Sequence, residues 1–461
     1  MKNWNLFFYL IQRWPLGILV CLIGCVSPRD QVGPLSSDLK ELAPSSDRES
    51  GLGPGLVESS KLVDFLRLAV INNAGLKGAF YRWKAALEKV PQVRALPDPN
   101  FTYGYFVEQV ETRVGPQRQR FGLNQRFPWL GKLRLRGDQA AKIARAAELQ
   151  FESDRFRVLF DVKDAYYELY YLKEAIRTTQ ENIQLVKHLE RVAQAKFRSG
   201  GDVSGVVKAQ VELARLEDEL SSLSSLRDPI VAKLNLAMNR PPGSDLPIPQ
   251  VFELSNDADW EKDSLMGLVD ASPELRGVDA LVEAADKGVA LARKSFWPDV
   301  TLGVDYVQTD SAQGLGVPGS GSDPVMVMAS INLPLWWGKY RAEVREAEAR
   351  FEGAIQDRME RRNQLHAELS LQTYRLGDAE RKIGLFGNTL TPLAKHSLDV
   401  AEQSYQAGRS DFLQMIDAQR LLLDVQLSYQ RAIADKEQRR AQIEMLTGRS
   451  SVLLDILPFE E

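Results

Sequence analysis

Few residues in this sequence have the types and spacing that enzymatic chemistry needs. The 461-residue chain has only three histidines, His188, His366 and His396. None has a second histidine at the spacing of a metal site, and no nucleophile elbow or phosphate-binding loop is present. All three lie in long helical patterns, which favours helix-surface roles for them. The sequence therefore predicts no catalytic residue and no metal ligand, and it indicates a protein that is not an enzyme.

Cys25 is the residue with the clearest covalent chemistry. It follows an apolar N-terminal stretch with a basic start, in the manner of a secretory signal. The stretch ends in Leu22-Ile23-Gly24-Cys25, which resembles a bacterial lipobox, so we expect cleavage after residue 24 and a lipid on Cys25. An ordinary signal peptide with an incidental cysteine is the alternative. A lipid would anchor the chain to a membrane without spanning it, and no other cofactor is expected.

A turn rich in proline, tryptophan, glycine and lysine occurs twice, at 127–132 and 333–339. Each copy follows an alternating, strand-like segment and precedes a long charged helix. Tryptophan is enriched at membrane–water interfaces, so we expect both turns at a bilayer surface. A proline-aromatic-glycine turn of a soluble protein is the alternative. The residues assigned to the interface are Pro128, Trp129, Gly131, Pro334, Trp336, Trp337 and Gly338.

Strands with one apolar face are expected before each turn, at about 100–127 and 300–333. The period of two in these segments predicts two strands in each, joined by a turn or loop. The apolar positions that we expect to face lipid include Tyr103, Tyr105, Leu302, Val304 and Val327.

Long helices follow both pairs of strands, from about Leu133 to Arg198 and from about Lys339 to Gln406. At ~1.5 Å per residue each would be roughly 100 Å long, which no compact domain needs. A break and a return helix follow each of them. The return helix after the first break is expected to be interrupted at Pro229, and another helix is expected over 264–294.

The order of elements is repeated, which indicates duplication of a whole module. The first repeat spans 61–250 with a hairpin tip at about 198–204. The second spans 251–449 with a tip at about 407–411. A signal peptide (1–24), a lipidated leader (25–60) and a C-terminal tail (450–461) flank the two repeats.

Charge and hydropathy exclude two further classes of protein. The formal net charge is −4, and removing residues 1–24 would take it to about −6. The chain therefore lacks the excess of basic residues that is typical of a nucleic-acid-binding protein. After the signal, no apolar run is long enough for a spanning helix, so a membrane crossing would need strands. Four strands are too few to close a barrel, and copies of the chain would have to share one.

Four motifs together carry a resemblance to a family. They are Pro97-Asp98-Pro99, Trp297-Pro298-Asp299, Leu234-Asn235-Leu236 leading to Arg240-Pro241-Pro242, and Tyr405-Gln406-Ala407-Gly408 leading to Asp417-Ala418-Gln419. With the two turns, they resemble the outer-membrane efflux proteins, the TolC-type channel-tunnels. The chain most resembles the lipidated branch that partners resistance-nodulation-division pumps, including heavy-metal efflux pumps.

This resemblance implies a mainly α fold with membrane β-strands. Three chains would share an outer-membrane β-barrel of about 12 strands, continuous with a long periplasmic α-helical barrel. The function implied is a passive conduit of a tripartite efflux pump, exporting metal ions or small toxic compounds. The partners implied are two further copies, a periplasmic adaptor (membrane fusion) protein, an inner-membrane transporter and outer-membrane lipid, without nucleic acid.

Two alternatives remain open at this point. An outer-membrane component of type I protein secretion would share the fold. A lipoprotein that acts as a periplasmic coiled-coil adaptor or scaffold would share the lipobox and the long helices, but it would not need four apolar-faced strands.

The resemblance also implies roles at the hairpin tips and beside them. Family members meet the adaptor at these tips, so we expect docking at Arg198, Gly200, Asp202, Gly408 and Ser410; glycine helix stops are the alternative.

The residues expected at the closed periplasmic aperture are Tyr405, Gln414 and Asp417. Asp417 matches an acidic ring of the family, and Tyr405 matches an aromatic residue that ties the closed aperture. Gln414 stands where a second acid is common, which departs from the family pattern. A solvated helix-surface charge is the alternative for Asp417.

Overall fold

The computed structural model describes residues 60–247, 262–314 and 316–449, all within the compact unit Gly53–Glu461. The signal peptide, Cys25, the leader up to residue 59 and the tail from residue 450 lie outside the described residues.

The first half of the chain is built around one helix of 67 residues. Two shorter helices and a β-hairpin precede it, and a return helix follows it. The elements are α1 (Leu62–Asn72), α2 (Ala74–Arg94), β1 (Asn100–Val110), β2 (Gln117–Phe127), α3 (Lys132–Arg198) and α4 (Ser204–Ala237).

The second half repeats this order with different breaks. Its elements are α5 (Lys262–Asp270), α6 (Pro273–Lys294), β3 (Val300–Thr309), β4 (Val325–Ile331), α7 (Trp337–Leu385), a π-helical turn (Phe386–Leu390), α8 (Thr391–Gln406) and α9 (Phe412–Thr447). The long helix expected from Lys339 to Gln406 is therefore interrupted by the π-helical turn.

Side-chain caps divide two segments, 62–94 and 262–294, in which the helical spacing of apolar residues continues across the break. Asn73 accepts a hydrogen bond from the Leu76 N–H at 2.9 Å and starts α2. Ser272 accepts from the Leu275 N–H at 3.4 Å and starts α6. Both residue types are favoured at helix N-termini, because their oxygens satisfy a free N–H of the first turn. The helix expected over 264–294 is thus two helices.

Pro229 does not interrupt α4, contrary to the expectation from sequence. The proline removes one backbone donor, and it lies on the exposed side of the helix, where water can satisfy the carbonyl that loses its partner.

The four strands form one antiparallel sheet in the order β1-β2-β3-β4. Its central pair, β2 with β3, joins the two halves of the chain. The register aligns Phe121 with Tyr103 and Tyr306, and Val304 with Leu123 and Val327. Because side chains alternate between faces, these residues share one face of the sheet. That face is apolar, and it is exposed along β1 and β4.

The opposite face of the sheet is mostly polar. Arg120 lies there and donates to Asp305 across the β2–β3 pair at 2.7 Å. Glycines also occupy this face, at Gly104, Gly122 and Gly303. The sheet therefore has the two-sided character of a wall between an apolar and a polar medium.

The helices pack around α3, which contacts α2, α4, α6 and α9. One core cluster joins α1, α3 and α4, and it includes Phe65 and Leu234. A second cluster, the tip cluster, lies at the far end of α3 and includes Leu189, Ala209, Leu398, Tyr405 and Phe412. No helix among the described residues combines the length and apolarity needed to cross a membrane.

Candidate aperture, hairpin tips and strand–helix junctions

Both hairpins turn at a glycine in the left-handed region of backbone space. Gly200 has φ +96° and Gly408 has φ +75°, and neither would bring a Cβ within 4 Å of another residue. Conformation rather than space therefore requires glycine at these tips. Arg198, Gly200, Asp202 and Gly408 are exposed, whereas the Ser410 hydroxyl is enclosed without a hydrogen-bond partner among the described residues.

The two tips lie side by side and are fastened by Lys196. Its Nζ donates to the Tyr405 carbonyl at 2.6 Å and sits 3.9 Å from the centre of the Tyr405 ring. The ammonium thus satisfies a carbonyl at the C-terminus of α8 and makes a cation–π contact. The first hairpin holds the second through this residue.

Tyr405 is part of the tip cluster and is only 5% exposed. Its ring meets Phe412 edge-on at 5.5 Å, and a Cβ at Gly205 would lie 3.1 Å from its hydroxyl. Burial raises the pKa of Tyr405, and the carboxylate of Asp202 adds to the shift. Within one chain, Tyr405 therefore packs the two tips together.

Asp417 and Gln414 lie on one exposed face of α9, one helical turn apart. The Asp417 side chain is 60% exposed, and its nearest cation is the Arg420 Nη1 at 3.9 Å. Asp411 caps the helix below them, where its carboxylate accepts from the Gln414 N–H at 3.0 Å. Asp417 is thus an exposed carboxylate beside the tips, with one long ion pair to Arg420.

Glu212 is a buried acid that the sequence analysis missed. Its carboxylate has no exposed area and accepts from Arg215 at 2.8 Å and from Arg420 at 2.6 Å. Burial acts to raise the pKa of Glu212, but the bonds from Arg215 and Arg420 outweigh it and hold the pKa below its usual range. Glu212 therefore draws Arg420 towards α4 and away from Asp417. No local signal marks its burial, because Arg420, the partner on α9, lies far along the chain.

A buried amide network lies above the tip cluster. The Gln419 side chain donates to the side-chain oxygen Oδ1 of Asn182 at 3.1 Å. The Asn182 Nδ2 donates in turn to the side-chain oxygen of Gln426 at the same distance. These bonds join α3 to α9. Hydrogen bonds between buried amides favour one helix register over its neighbours, although the Gln419 Oε1 atom is itself buried without a partner among the described residues.

The first strand–helix junction is organised by Asp299, which is 7% exposed. Its carboxylate accepts from Arg126 at 2.6 Å, from the Trp129 N–H at 2.9 Å and from Lys132 at 2.8 Å. The rings of Trp129 and Trp297 stack 4.9 Å apart. The motif Trp297-Pro298-Asp299 from the second half thus locks the turn of the first half.

The second junction is open. Leu335, Trp336 and Trp337 are more than half exposed. Gly338 is also exposed, while Pro334 is half-buried. The ring of Trp337 approaches only Phe296 among the described aromatic residues, at 5.9 Å. The two copies of the turn therefore have different surroundings, although their sequences are similar.

Two of the three histidines take part in helix-to-helix contacts, and His396 is exposed. His188 lies 3.0 Å from Glu402, between α3 and α8. His366 lies 2.9 Å from Asp270, which also accepts from Arg362 at 2.8 Å. Within 60–247, 262–314 and 316–449, no group of three or more histidine, cysteine or acidic side chains could hold a metal ion.

The family model of the outer membrane efflux protein matches residues 65–240 and 268–449, more than half of the chain. The chain belongs to this family. Its two matched segments correspond to the two halves of the fold described above.

Relatives and solved structures agree with the family. The cobalt-zinc-cadmium resistance protein CzcC of Cupriavidus metallidurans is 23% identical over 94% of this chain and 99% of that protein. An uncharacterized protein of Haemophilus influenzae is 25% identical over 47% of this chain, and the chain spans about half of that relative, 48%. The outer-membrane channel OprN matches in fold, with a TM-score of 0.73 at 17% identity over 84% of this chain and 90% of that one.

Proposed function

We propose that this protein is the outer-membrane channel of a tripartite efflux pump. The single observation that carries the proposal is the joining of two structures in one chain: a sheet with one apolar face and paired hairpins that end together. The sheet suits a bilayer and the hairpin tips suit a periplasmic partner. Family membership supports both assignments.

Three copies would complete the conduit. The open sheet leaves β1 and β4 as edges, so the β4 of one copy can pair with the β1 of the next. Three four-stranded sheets would then make a closed barrel of about 12 strands, with the apolar face towards lipid. The polar face with Arg120 and Asp305 would line the lumen.

The tips would form the periplasmic end of the conduit. In a trimer, three copies of Asp417 would surround one opening and attract cations. An adaptor protein would dock on Arg198, Gly200, Asp202, Gly408 and Ser410, and an inner-membrane transporter would deliver the substrate. Tyr405 and Gln414 lie at the same end.

The anchor belongs to the same proposal. A diacylglycerol on Cys25 would hold the mature N-terminus at the outer membrane. Mass spectrometry of the purified protein is expected to find the lipid there. An unmodified N-terminus at another residue would refute the anchor but not the channel.

The class of substrate is metal ions or small toxic compounds. The near full-length alignment to a cobalt-zinc-cadmium resistance protein supports the metal arm. A strain that lacks this protein is expected to become sensitive to divalent cobalt, zinc or cadmium salts before it becomes sensitive to an organic solvent such as toluene. The reverse order would assign the protein to a drug-type pump.

The channel itself is tested by extraction and conductance. We expect the protein to resist carbonate washing, to migrate as a heat-modifiable oligomer and to conduct ions in planar bilayers. Release by carbonate without conductance would instead support a lipidated periplasmic scaffold.

A further inference from the structure

The buried side chains of α7 and α8, together with the half-buried Leu376 and Ala401, follow a regular seven-residue stripe. The spacing between successive positions of the stripe alternates between four and three residues, as in coiled-coil packing. On α7 the stripe consists of Leu365, Leu369, Gln372, Leu376 and Ala379. On α8 it consists of Ala394, Leu398, Ala401 and Tyr405.

The stripe slips by one residue between the two helices. A seven-residue repeat carried forward from Ala379 would bury positions 393 and 400. Instead Leu393 is 59% exposed and Val400 is 47% exposed, and Ala394 and Ala401 are turned inward. One residue more than the repeat allows must therefore lie between Ala379 and Ala394.

The π-helical turn Phe386–Leu390 takes up that extra residue. The Thr391 N–H donates to the Phe386 carbonyl, five residues back rather than four. The Thr391 hydroxyl donates to the same oxygen at 2.7 Å. A π-turn accommodates one inserted residue and keeps the helix axis, at the cost of a wider and weaker hydrogen-bond ladder.

The helix gains a second partner at this turn. Above it, towards the sheet, α7 is bonded to α9. Below it, towards the tips, α8 still packs against α9 in the tip cluster and is also bonded to α3. The bonds above are Gln442 to Glu368 at 2.8 Å and Lys436 to Glu380 at 3.4 Å; those below are His188 to Glu402 at 3.0 Å and Lys196 to the Tyr405 carbonyl at 2.6 Å.

One aromatic ring supports the turn itself. A Cβ on Gly387 would lie 2.8 Å from the Tyr429 ring of α9, so the ring rests on the glycine backbone. None of the five residues of the turn is buried. The segment thus has a close apolar support but no core contact that fixes its direction.

We propose that Phe386–Leu390 is the pivot about which the tip half of the second hairpin moves against its upper half, with Tyr429 as the support. The wide ladder can bend while the stripes above and below stay packed. Bending would displace α8, Tyr405 and the start of α9 together. That this movement widens an aperture rests on the proposed function; the pivot itself does not.

The pivot is tested by distances within the helix. Nitroxide labels on the exposed positions Arg381 and Asp399 span the turn, and labels on Gln356 and Tyr374 span the same number of residues within α7. Each pair should be about 27 Å apart in a straight helix. In the full-length protein carrying Cys21→Ala and Cys25→Ala, pulsed electron paramagnetic resonance is expected to give a broader distribution for the pair that spans the turn. Equal widths would overturn the proposal.

Deletion of Asn388 is the second test, because it removes the inserted residue and restores one α-helical repeat. We expect the distribution between residues 381 and 399 to narrow to the width of the α7 pair, without a lower thermal midpoint. The matched control is deletion of the exposed Gly377, which breaks the repeat within α7 and should lower the midpoint. An unchanged width after deletion of Asn388, or a fall in midpoint as large as the control's, would overturn the pivot.

Conductance separates this inference from the proposed function. If the deletion of Asn388 narrows the distance distribution and the native protein conducts no ions, the proposed channel function is refuted and the pivot stands. If both proposals hold, deletion of Asn388 should reduce the rise in conductance that a docked adaptor produces.

Discussion

At the scale of single residues, the carboxylates near the tips have opposite surroundings. Glu212 is enclosed between two guanidinium groups, whereas Asp417 is mostly in water. Arg420 contacts both acids, but its bond to Glu212 is far shorter. Glu212 therefore serves the packing of α4 on α9, whereas most of the Asp417 side chain is exposed to solvent.

Replacing Glu212 should separate packing from charge. Glu212→Gln removes the charged acceptor from Arg215 and Arg420, so we expect a loss of about 1–3 kcal/mol in the free energy of unfolding. A lower thermal midpoint would report it. Glu217→Gln, on the exposed side of the same helix, is the control and should change the midpoint little. Equal effects of the two variants would contradict a structural role for Glu212.

Replacing Asp417 should change conduction without changing stability. In planar bilayers Asp417→Asn is expected to weaken block by divalent cations and to reduce selectivity for cations. The difference should shrink as salt rises, because exposed charges are screened beyond ~10 Å at 0.1 M. Asp399→Asn, an exposed acid on α8, is the control. Traces indistinguishable from the native protein at low salt would remove Asp417 from the aperture.

At the scale of elements, ionic contacts hold the helices and junctions at defined places. Asp299 ties the first junction, while Arg362 and His366 of α7 converge on Asp270 of α5. The Arg362 guanidinium lowers the pKa of Asp270 to about 2; burial opposes this shift, and His366 adds to it.

Asp299→Asn should weaken the strand–helix junction. The change removes the charge that balances the buried Lys132, and losing one partner of a buried ion pair costs about 3–5 kcal/mol. We expect a lower thermal midpoint and altered tryptophan fluorescence, because Trp129 and Trp297 stack beside it. The exposed Asp98→Asn, before β1, should show neither effect. A stable Asp299→Asn protein with native fluorescence would argue against this junction.

The Asp270 contact should depend on pH with a defined sign. A carboxyl group whose pKa is lower in the folded state stabilises the fold at pH values above its pKa in the unfolded chain, which is about 4. That stabilisation is lost as the pH falls towards the folded-state pKa of about 2. Asp270→Asn should therefore lower the thermal midpoint at pH 7, with a difference that shrinks below about pH 4. Asp286→Asn, an exposed acid on α6, is the comparison. A difference that grows on acidification would contradict the assignment.

At the scale of the whole molecule, much of the architecture follows from local patterns. A period of two residues predicts the strands and their apolar face, the helical spacing of apolar residues predicts the long helices, and glycines predict the tips. The π-helical turn escapes such analysis, because Leu393 and Ala394 could each be the buried residue. The burial of Glu212 and the contacts of Asp299 escape it too, since they depend on residues more than a hundred positions away.

The two faces of the sheet allow a test on neighbouring residues. Val327→Arg puts a charge on the apolar face of β4, and we expect a cost of about 2–4 kcal/mol if the site is near the bilayer midplane. Met326→Arg puts the same charge on the polar face, one residue away, and should be tolerated. The yield of heat-modifiable oligomer would measure both. Equal tolerance would argue against a lipid-facing sheet.

The unpaired outer edges of β1 and β4 have a consequence for how the protein must mature. A newly exported copy carries two ladders of free backbone donors and acceptors beside an apolar face, and such edges template misassociation. If three copies share a barrel as proposed, the chain is therefore most prone to misassociate in the interval between export and pairing with the other copies. Secretion faster than the copies can find one another would produce aggregates, so periplasmic chaperone capacity should set the ceiling on its expression.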